Sequence, residues 1–382
     1  MTRFALLARP GSRRADGFLD ACRGRGLPEP RVVSWEHVLA PGFDPAAAFA
    51  GANALRIETP ADSPAAERLL LARGAAAYRM AGRVPELDEA ACAAVPDDDG
   101  QLRHQRQWFS GFTAALGDIG SWCRDLGLRP MNQPDDIMVL FHKFSTRAGL
   151  EDAGVPVPAS TGLCEGFDHL VESMERSGWN RVFLKPCHGS SAAGVMAIAR
   201  GPRGDWRAVT TAETVGNVIR NLKRPREIRR ADELRSTVDA VCRQRALVER
   251  WFPKATLGGR ALDLRVVVVA GMAAHVAVRT SRGPITNLHL DNRRGDLEET
   301  REAVGHRAWR QALSAAEAAA LCFPGCHYVG VDVMIGARGR GVAVAEVNAF
   351  GDLLHHERWR GMNPWELELE CWRDTEESSG AM

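Results

Sequence analysis

Long hydrophobic runs are missing from this chain. None of its 382 residues falls in a stretch approaching the ~20 apolar residues of a membrane-spanning helix, so no membrane span is expected. The first apolar run, Phe4 to Ala8, is five residues long, too short for the hydrophobic region of a secretory signal. Charge of one sign is not in excess. The 49 lysines and arginines stand against 48 acids, a net charge of +1, which gives no footing for nucleic acid or an anionic membrane. The nine cysteines are scattered, with no CxxC knuckle, which excludes a disulfide framework and fits a reduced, cytoplasmic protein. Cys322 and Cys326 have no second pair to complete a zinc site and read as small core residues. Also absent are the three-glycine dinucleotide fingerprint, a GK[ST] phosphate loop and a recognisable Ser–His–Asp or Cys–His arrangement.

What is present reads as a soluble globular protein, with 45% hydrophobic and 25% charged residues. Phe4 to Ala8 is a buried strand, Gly11 to Arg25 leads into a helix, and Arg31 to Ser34 is a second strand. That order predicts a parallel sheet with helices on its faces. In Gln101 to Leu126, the residues Trp108, Phe109, Phe112, Leu116, Ile119, Trp122 and Cys123 recur at helical spacing and form one apolar face. The PDDDG stretch, Pro96 to Gly100, reads as an exposed turn. The texture changes near Arg129–Asn132, which sets an N-terminal α/β domain at 1–130 and a second, α+β domain at 131–382. Within the second, helices lead to Gly154, and strands follow near Val182–Lys185 and Val195–Ala199. Thr214 to Ala246, basic and carrying KRPREIRR, is expected to be mostly helical, and nothing in the sequence assigns it a role.

The last hairpin organises the rest. Two β-branched runs of Tyr328 to Asn348 flank GARGRG, a connection that supplies positive φ angles. Side chains alternate on a strand, so Glu346 and Asn348 share a face. Counting back through the turn puts Asp332 opposite Ala345 or Glu346. Two carboxylates side by side on greasy strands repel each other and lose hydration, and a divalent cation removes both costs. Mg²⁺ prefers such hard oxygens. The plainer reading is a solvated sheet edge.

Other stretches carry anion-binding chemistry. In FLKPCHGSSAAGV, a strand delivers Lys185 and then turns through Gly189, Ser190 and Ser191, so that backbone N–H groups and hydroxyls lie beside a cation. The alternative is a flexible turn. Lys143 stands near a helix start, where the macrodipole disfavours a lysine unless an anion is close. In Leu247 to Phe252, a strand leaving its sheet could offer its backbone to an adenine edge. Arg265 and Arg279 sit on paired strands and suit a carboxylate or phosphoryl group, or else are surface arginines.

Taken in order, Lys143, Lys185 with GSS, VERW, DLRVVVV with Arg279, and Asp332 with Glu346-Val-Asn348 resemble the ATP-grasp superfamily over about residues 130 to 370. The resemblance implies an N-terminal α/β domain followed by a two-lobed grasp with ATP between the lobes. It implies phosphate contacts from Lys143 and Lys185 under a flap at Gly189, Ser190 and Ser191. It makes Val248, Glu249 and Trp251 the adenine hinge, and Arg265 and Arg279 the pair serving the phosphoryl group or the substrate carboxylate. Asp332, Glu346 and Asn348 become ligands of Mg²⁺. The implied reaction is ADP-forming: a carboxylate is phosphorylated by ATP and then captured by an amine or similar nucleophile. The expected partners are small-molecule carboxylate and amine, or peptide, substrates, and a homodimer is compatible with this reading. Two alternatives stay open: a non-catalytic nucleotide-binding component of a biosynthetic complex, and a small-molecule kinase of the same fold. His188, His355 and His356 have no assignment.

Overall fold

A computed structural model describes residues 1–97, 104–189, 192–215, 218–290, 292–351, 354 and 357–380. Three sheets form among these residues. The first is parallel: β1 (Phe4–Leu7), β2 (Arg31–Val33), β3 (Ala54–Ile57) and β4 (Arg129–Pro130) lie in the order β2-β1-β3-β4. Its strands are short and apolar because helices cover both faces, as the strand–helix–strand order predicted. One cover is the helix Gln105–Leu126, which turns Phe112, Leu116 and Ile119 into the core. Another is the C-terminal helix Pro364–Gly380, whose Trp365, Leu369 and Trp372 pack with Phe4, Leu6 and Phe18.

The second sheet is antiparallel. It comprises β5 (Ser160–Cys164), β6 (Arg181–Pro186), β7 (Met196–Arg200), β8 (Trp206–Val215), β9 (Val218–Ile228) and β10 (Ala246–Arg250), in the order β5-β10-β6-β7-β8-β9. The helices Phe167–Arg176 and Ala231–Arg243 bury Leu170, Met174, Leu234, Val238 and Val241 against one face. Here the sequence expectation for 214–246 needs correction. Its first part is strand, not helix, and only Ala231–Arg243 is helical. The basic side chains misled because β9 is an edge strand, where Arg and Lys are tolerated on solvent-facing positions. Arg226, Arg229 and Arg230 are paired with Glu233, Glu227 and Asp232.

The third sheet holds β11 (Thr256–Leu257), β12 (Arg260–Val269), β13 (Met272–Ser281), β14 (Arg293–Gly295), β15 (Tyr328–Ile335) and β16 (Val342–Asn348), with main order β14-β13-β12-β15-β16. The β12–β13 turn is tight because Ala270 (φ 47°) and Gly271 (φ 79°) both take positive φ. Alternation sorts β12 cleanly. Leu262, Leu264, Val266 and Val268 enter the core beneath the alanine-rich helix His306–Leu321, while Asp263 and Arg265 point to the other face. Two helices, Leu297–Val304 and His306–Leu321, are split at Gly305 (φ 81°). Among the described residues no helix is long and apolar enough to cross a membrane. Asp98, Asp99 and Gly100 of the acidic turn lie outside the described residues.

Candidate functional site

The polar faces of the second and third sheets meet across a solvent-open cleft of about 790 Å³. Lys185, Gly189 and Glu249 line it on the side of the second sheet, Asp263, Arg279, Asp332 and Glu346 on the side of the third, and Lys143 lines it from the helix Lys143–Asp152. Phe183, Phe252, Ile285 and Met334 give part of the cleft an apolar lining.

The registration of β15 on β16 settles the choice left by counting. Asp332 pairs directly with Glu346, and Gly330 with Asn348, because a bulge follows Asp332. The bulge also lets Ala345 line the cleft beside Glu346. Asn348 Nδ2 donates to the Gly330 carbonyl at 3.2 Å, which commits the amide nitrogen and turns the amide oxygen the other way. Asp332 and Glu346, paired carboxylates in the cleft lining, offer the hard oxygens that Mg²⁺ takes, while Asn348 lies two pairs along the same strands and outside that lining. Among the described residues no cluster of three or more His, Cys, Asp or Glu side chains could hold a metal.

Each acid is balanced by a cation. Lys143 Nζ lies 2.6 Å from Glu346 Oε1 and donates to the Gly189 carbonyl at 2.8 Å. Lys185 Nζ lies 2.6 Å from Glu249 Oε2. Asp332 accepts from Arg265 through both carboxylate oxygens and pairs with Arg279 at 3.1 Å. Burial pushes the Glu346 carboxyl up, but the charge of Lys143 outweighs it, and the group is held below its ordinary value. Burial opposes the charge on Lys185, yet Glu249 holds its ammonium above the usual lysine value. Both shifts favour the charged forms of Glu346 and Lys185.

Several of these residues were not foreseen. Asp263, 3% exposed, accepts from Arg279 Nε at 2.8 Å, from Lys254 Nζ at 2.9 Å and from the Thr286 hydroxyl. Period-two alternation from Arg265 already places Asp263 on the cleft face, so this residue was findable. Lys254 follows a proline in a loop and has no local signal. Burial depresses its ammonium below the usual lysine value, although Asp263 works the other way.

Other expected residues land elsewhere. Val248 belongs to the core beneath the second sheet, and its carbonyl accepts the Ser160 hydroxyl at 2.6 Å. Trp251 packs its ring on Phe183 at 5.1 Å, and β10 stays paired with β6 through Arg250 rather than leaving the sheet at Val248. The lining at this point comes from Arg250 and Phe252 instead. Glu249, 4% exposed, is the buried partner of Lys185. His188 is stacked on Phe109 at 4.1 Å, and burial pushes its imidazole down to about 3, so it stays neutral. Ser190, Ser191, His355 and His356 lie outside the described residues.

Gly330 shows how tightly this end is built. A Cβ there would stand 2.6 Å from the Gly351 carbonyl oxygen and 3.2 Å from an Arg265 nitrogen. Arg265 itself donates to the Gly351 carbonyl at 3.2 Å. Gly330→Ala is expected to destabilise the protein by about 1–3 kcal/mol in urea unfolding, the usual cost of overpacking. An unchanged midpoint would show that Gly351 moves aside freely.

No family model and no curated protein matches the sequence. Solved structures do match. D-cycloserine synthetase DcsG is 16% identical, with TM-score 0.54, covering 96% of this chain and 98% of that one. D-alanine–D-alanine ligase from Bacillus anthracis is 11% identical, with TM-score 0.52, covering 94% and 90%. The ATP-grasp ligase PsnB complexed with minimal precursor is 16% identical, with TM-score 0.51, covering 92% of each chain. At such identities the likeness establishes the fold.

Proposed function

We propose that this chain, which has the ATP-grasp fold, is an ATP-dependent, ADP-forming ligase that joins a carboxylate to an amine or similar nucleophile. We take 1–130 and 131–382 as its two parts. One observation carries the reading: Lys143, Lys185, Asp332 and Glu346 line a single cleft. Those lysines come from separate elements, the helix Lys143–Asp152 and β6, and have no shared structural reason to converge.

ATP would lie with its base against the apolar lining at Phe183, Phe252 and Met334. Its phosphates would take Lys143 and Lys185 from their present carboxylate partners. Mg²⁺ held by Asp332, Glu346 and Asn348 would neutralise the phosphate oxygens. The substrate carboxylate attacks the γ-phosphorus in line, the β,γ bond breaks, and ADP leaves an acyl phosphate. The nucleophile then adds to the acyl carbon and expels phosphate. Arg279 and Arg265 stabilise the charge on the transferring group. Gly189, at φ 103°, lines the cleft, and its carbonyl accepts from the Lys143 ammonium at 2.8 Å. The structural neighbours are ligases, and the D-alanine–D-alanine ligase has also been solved complexed with ATP, which is consistent with this assignment.

MgATP at ~100 times its Kd should raise unfolding stability by about 2.7 kcal/mol. Thermal denaturation with and without millimolar MgATP checks this, and no shift in the intact protein removes the assignment.

A further inference from the structure

β6 ends at Pro186, and Cys187, His188 and Gly189 run on beyond the second sheet. Pro186 is the last residue of β6 to pair with β10, and on the other side β6 pairs with β7 only as far as Leu184. Among the described residues the ladder goes no further, and individual hydrogen bonds take over. Cys187 donates its N–H to the Arg245 carbonyl at 2.8 Å, and its own carbonyl accepts from the Lys143 N–H at 2.9 Å. The Gly189 carbonyl accepts from the Lys143 ammonium at 2.8 Å. The two lysines of the cleft therefore meet at this short segment: Lys185 leads into it and Lys143 is bonded to it.

His188 is the middle residue of the segment. The helix Gln105–Leu126 lays Phe109 flat on its ring, with centroids 4.1 Å apart and planes 19° apart. The ring of His142, the N-cap of the helix that Lys143 opens, lies 4.9 Å from His188 and 5.7 Å from Phe109. One phenyl ring thus touches the residue before Lys143 and the residue three positions after Lys185. The same helix turn approaches a second time through Gln105. Its backbone N–H donates to Gln244 Oε1 at 3.0 Å, and a Cβ on Gly189 would stand 2.9 Å from its Nε2.

His188 is 5% exposed, and its Nδ1 has no hydrogen-bond partner. Hydrogen bonding through that nitrogen does not hold the ring, so stacking carries much of its orientation. Phe109 is not among the residues that line the cleft, and any effect it has on a ligand there passes through other groups.

We propose that Phe109 is a positioning residue for the nucleotide site: through His188 and His142 it fixes the two segments that carry Lys185 and Lys143. The inference rests on the ligase reading above. It makes the helix Gln105–Leu126, which covers the first sheet, a support for phosphate binding in a cleft between the other two.

The test measures the Kd for MgATP by calorimetry on the intact protein, at a temperature where thermal denaturation shows each variant folded. Phe109→Ala should raise the Kd about fivefold or more, the worth of one stacked ring pair. Phe109→Tyr keeps the ring and should bind like the parent. Ile119→Val, a core truncation in the same helix, should lower the melting temperature and leave the Kd unchanged. If Phe109→Ala does not fold, Phe109→Leu, which fills the space without a ring face, takes its place with the same expectation. An unchanged Kd in the ring-less variant, a Kd in Phe109→Tyr as weak as in that variant, or an equal rise in Ile119→Val overturns the positioning role. Absence of MgATP binding by the parent overturns the ligase reading itself, and this role with it.

Discussion

Glu346→Gln should cut ATP-dependent ADP release by roughly 10³-fold while leaving the fold intact. Losing one preorganised electrostatic contact in an active site typically costs about 10²–10³ in rate. Glu346 supplies more than one, because it also faces Lys143 at 2.6 Å. The stability cost should be small. The Lys143 and Glu346 side chains are 18% and 31% exposed, and a pair this open to water contributes at most about 1 kcal/mol. Glutamine keeps the size and one oxygen, so a misfolded variant is not expected. Turnover is followed by coupled ADP detection and the fold by thermal unfolding. Turnover within tenfold of the parent would show that the metal assignment is wrong.

Asp263→Asn should have the opposite profile and destabilise the protein strongly. The Asp263 carboxylate is enclosed with Arg279 and Lys254, whose side chains are 7% and 11% exposed. Removing one partner of a buried set leaves uncompensated charge, at a cost of about 3 kcal/mol. The pH dependence follows from the direction of the shift. Burial raises the Asp263 carboxyl, but Arg279 and Lys254 outweigh it, and the folded-state value lies below the ordinary 3.8. Its contribution is therefore fully present above the unfolded value and is lost as pH falls through the folded one. Urea unfolding at neutral pH should show the deficit, and the gap between variant and parent should narrow below pH 3.8. A loss below ~1 kcal/mol, or a gap independent of acid pH, contradicts this account.

The two variants separate roles that share one face of the third sheet. Glu346 sits at an open mouth, where its charge is available to a ligand. Asp263 sits below, where its charge is spent on holding Arg279 and Lys254 in place. The same carboxylate group has different work because water reaches one and not the other.

Much of the site was readable because its residues sit on strands. Period-two alternation fixed the common face of Glu346 and Asn348, and the glycine-rich turn limited Asp332 to two possible partners. Lys185 was visible as the entry to a glycine turn, and Lys143 as a cation at a helix start. The edge strand β9 was misread because exposed basic residues carry no period of their own. Where β10 stops pairing was not legible, because a strand's pattern does not encode its end.

The sequence alone determined the alternating strands, the parallel opening and the order of charged residues along the chain, since these depend on neighbours a few positions apart. Only the tertiary structure decided that Asp332 pairs with Glu346 and not Ala345, because a bulge of one residue sets that register. It alone brought Lys254 and Thr286 to Asp263, and Arg14 to Phe350, since those contacts close loops of 9, 23 and 336 residues that no local pattern encodes.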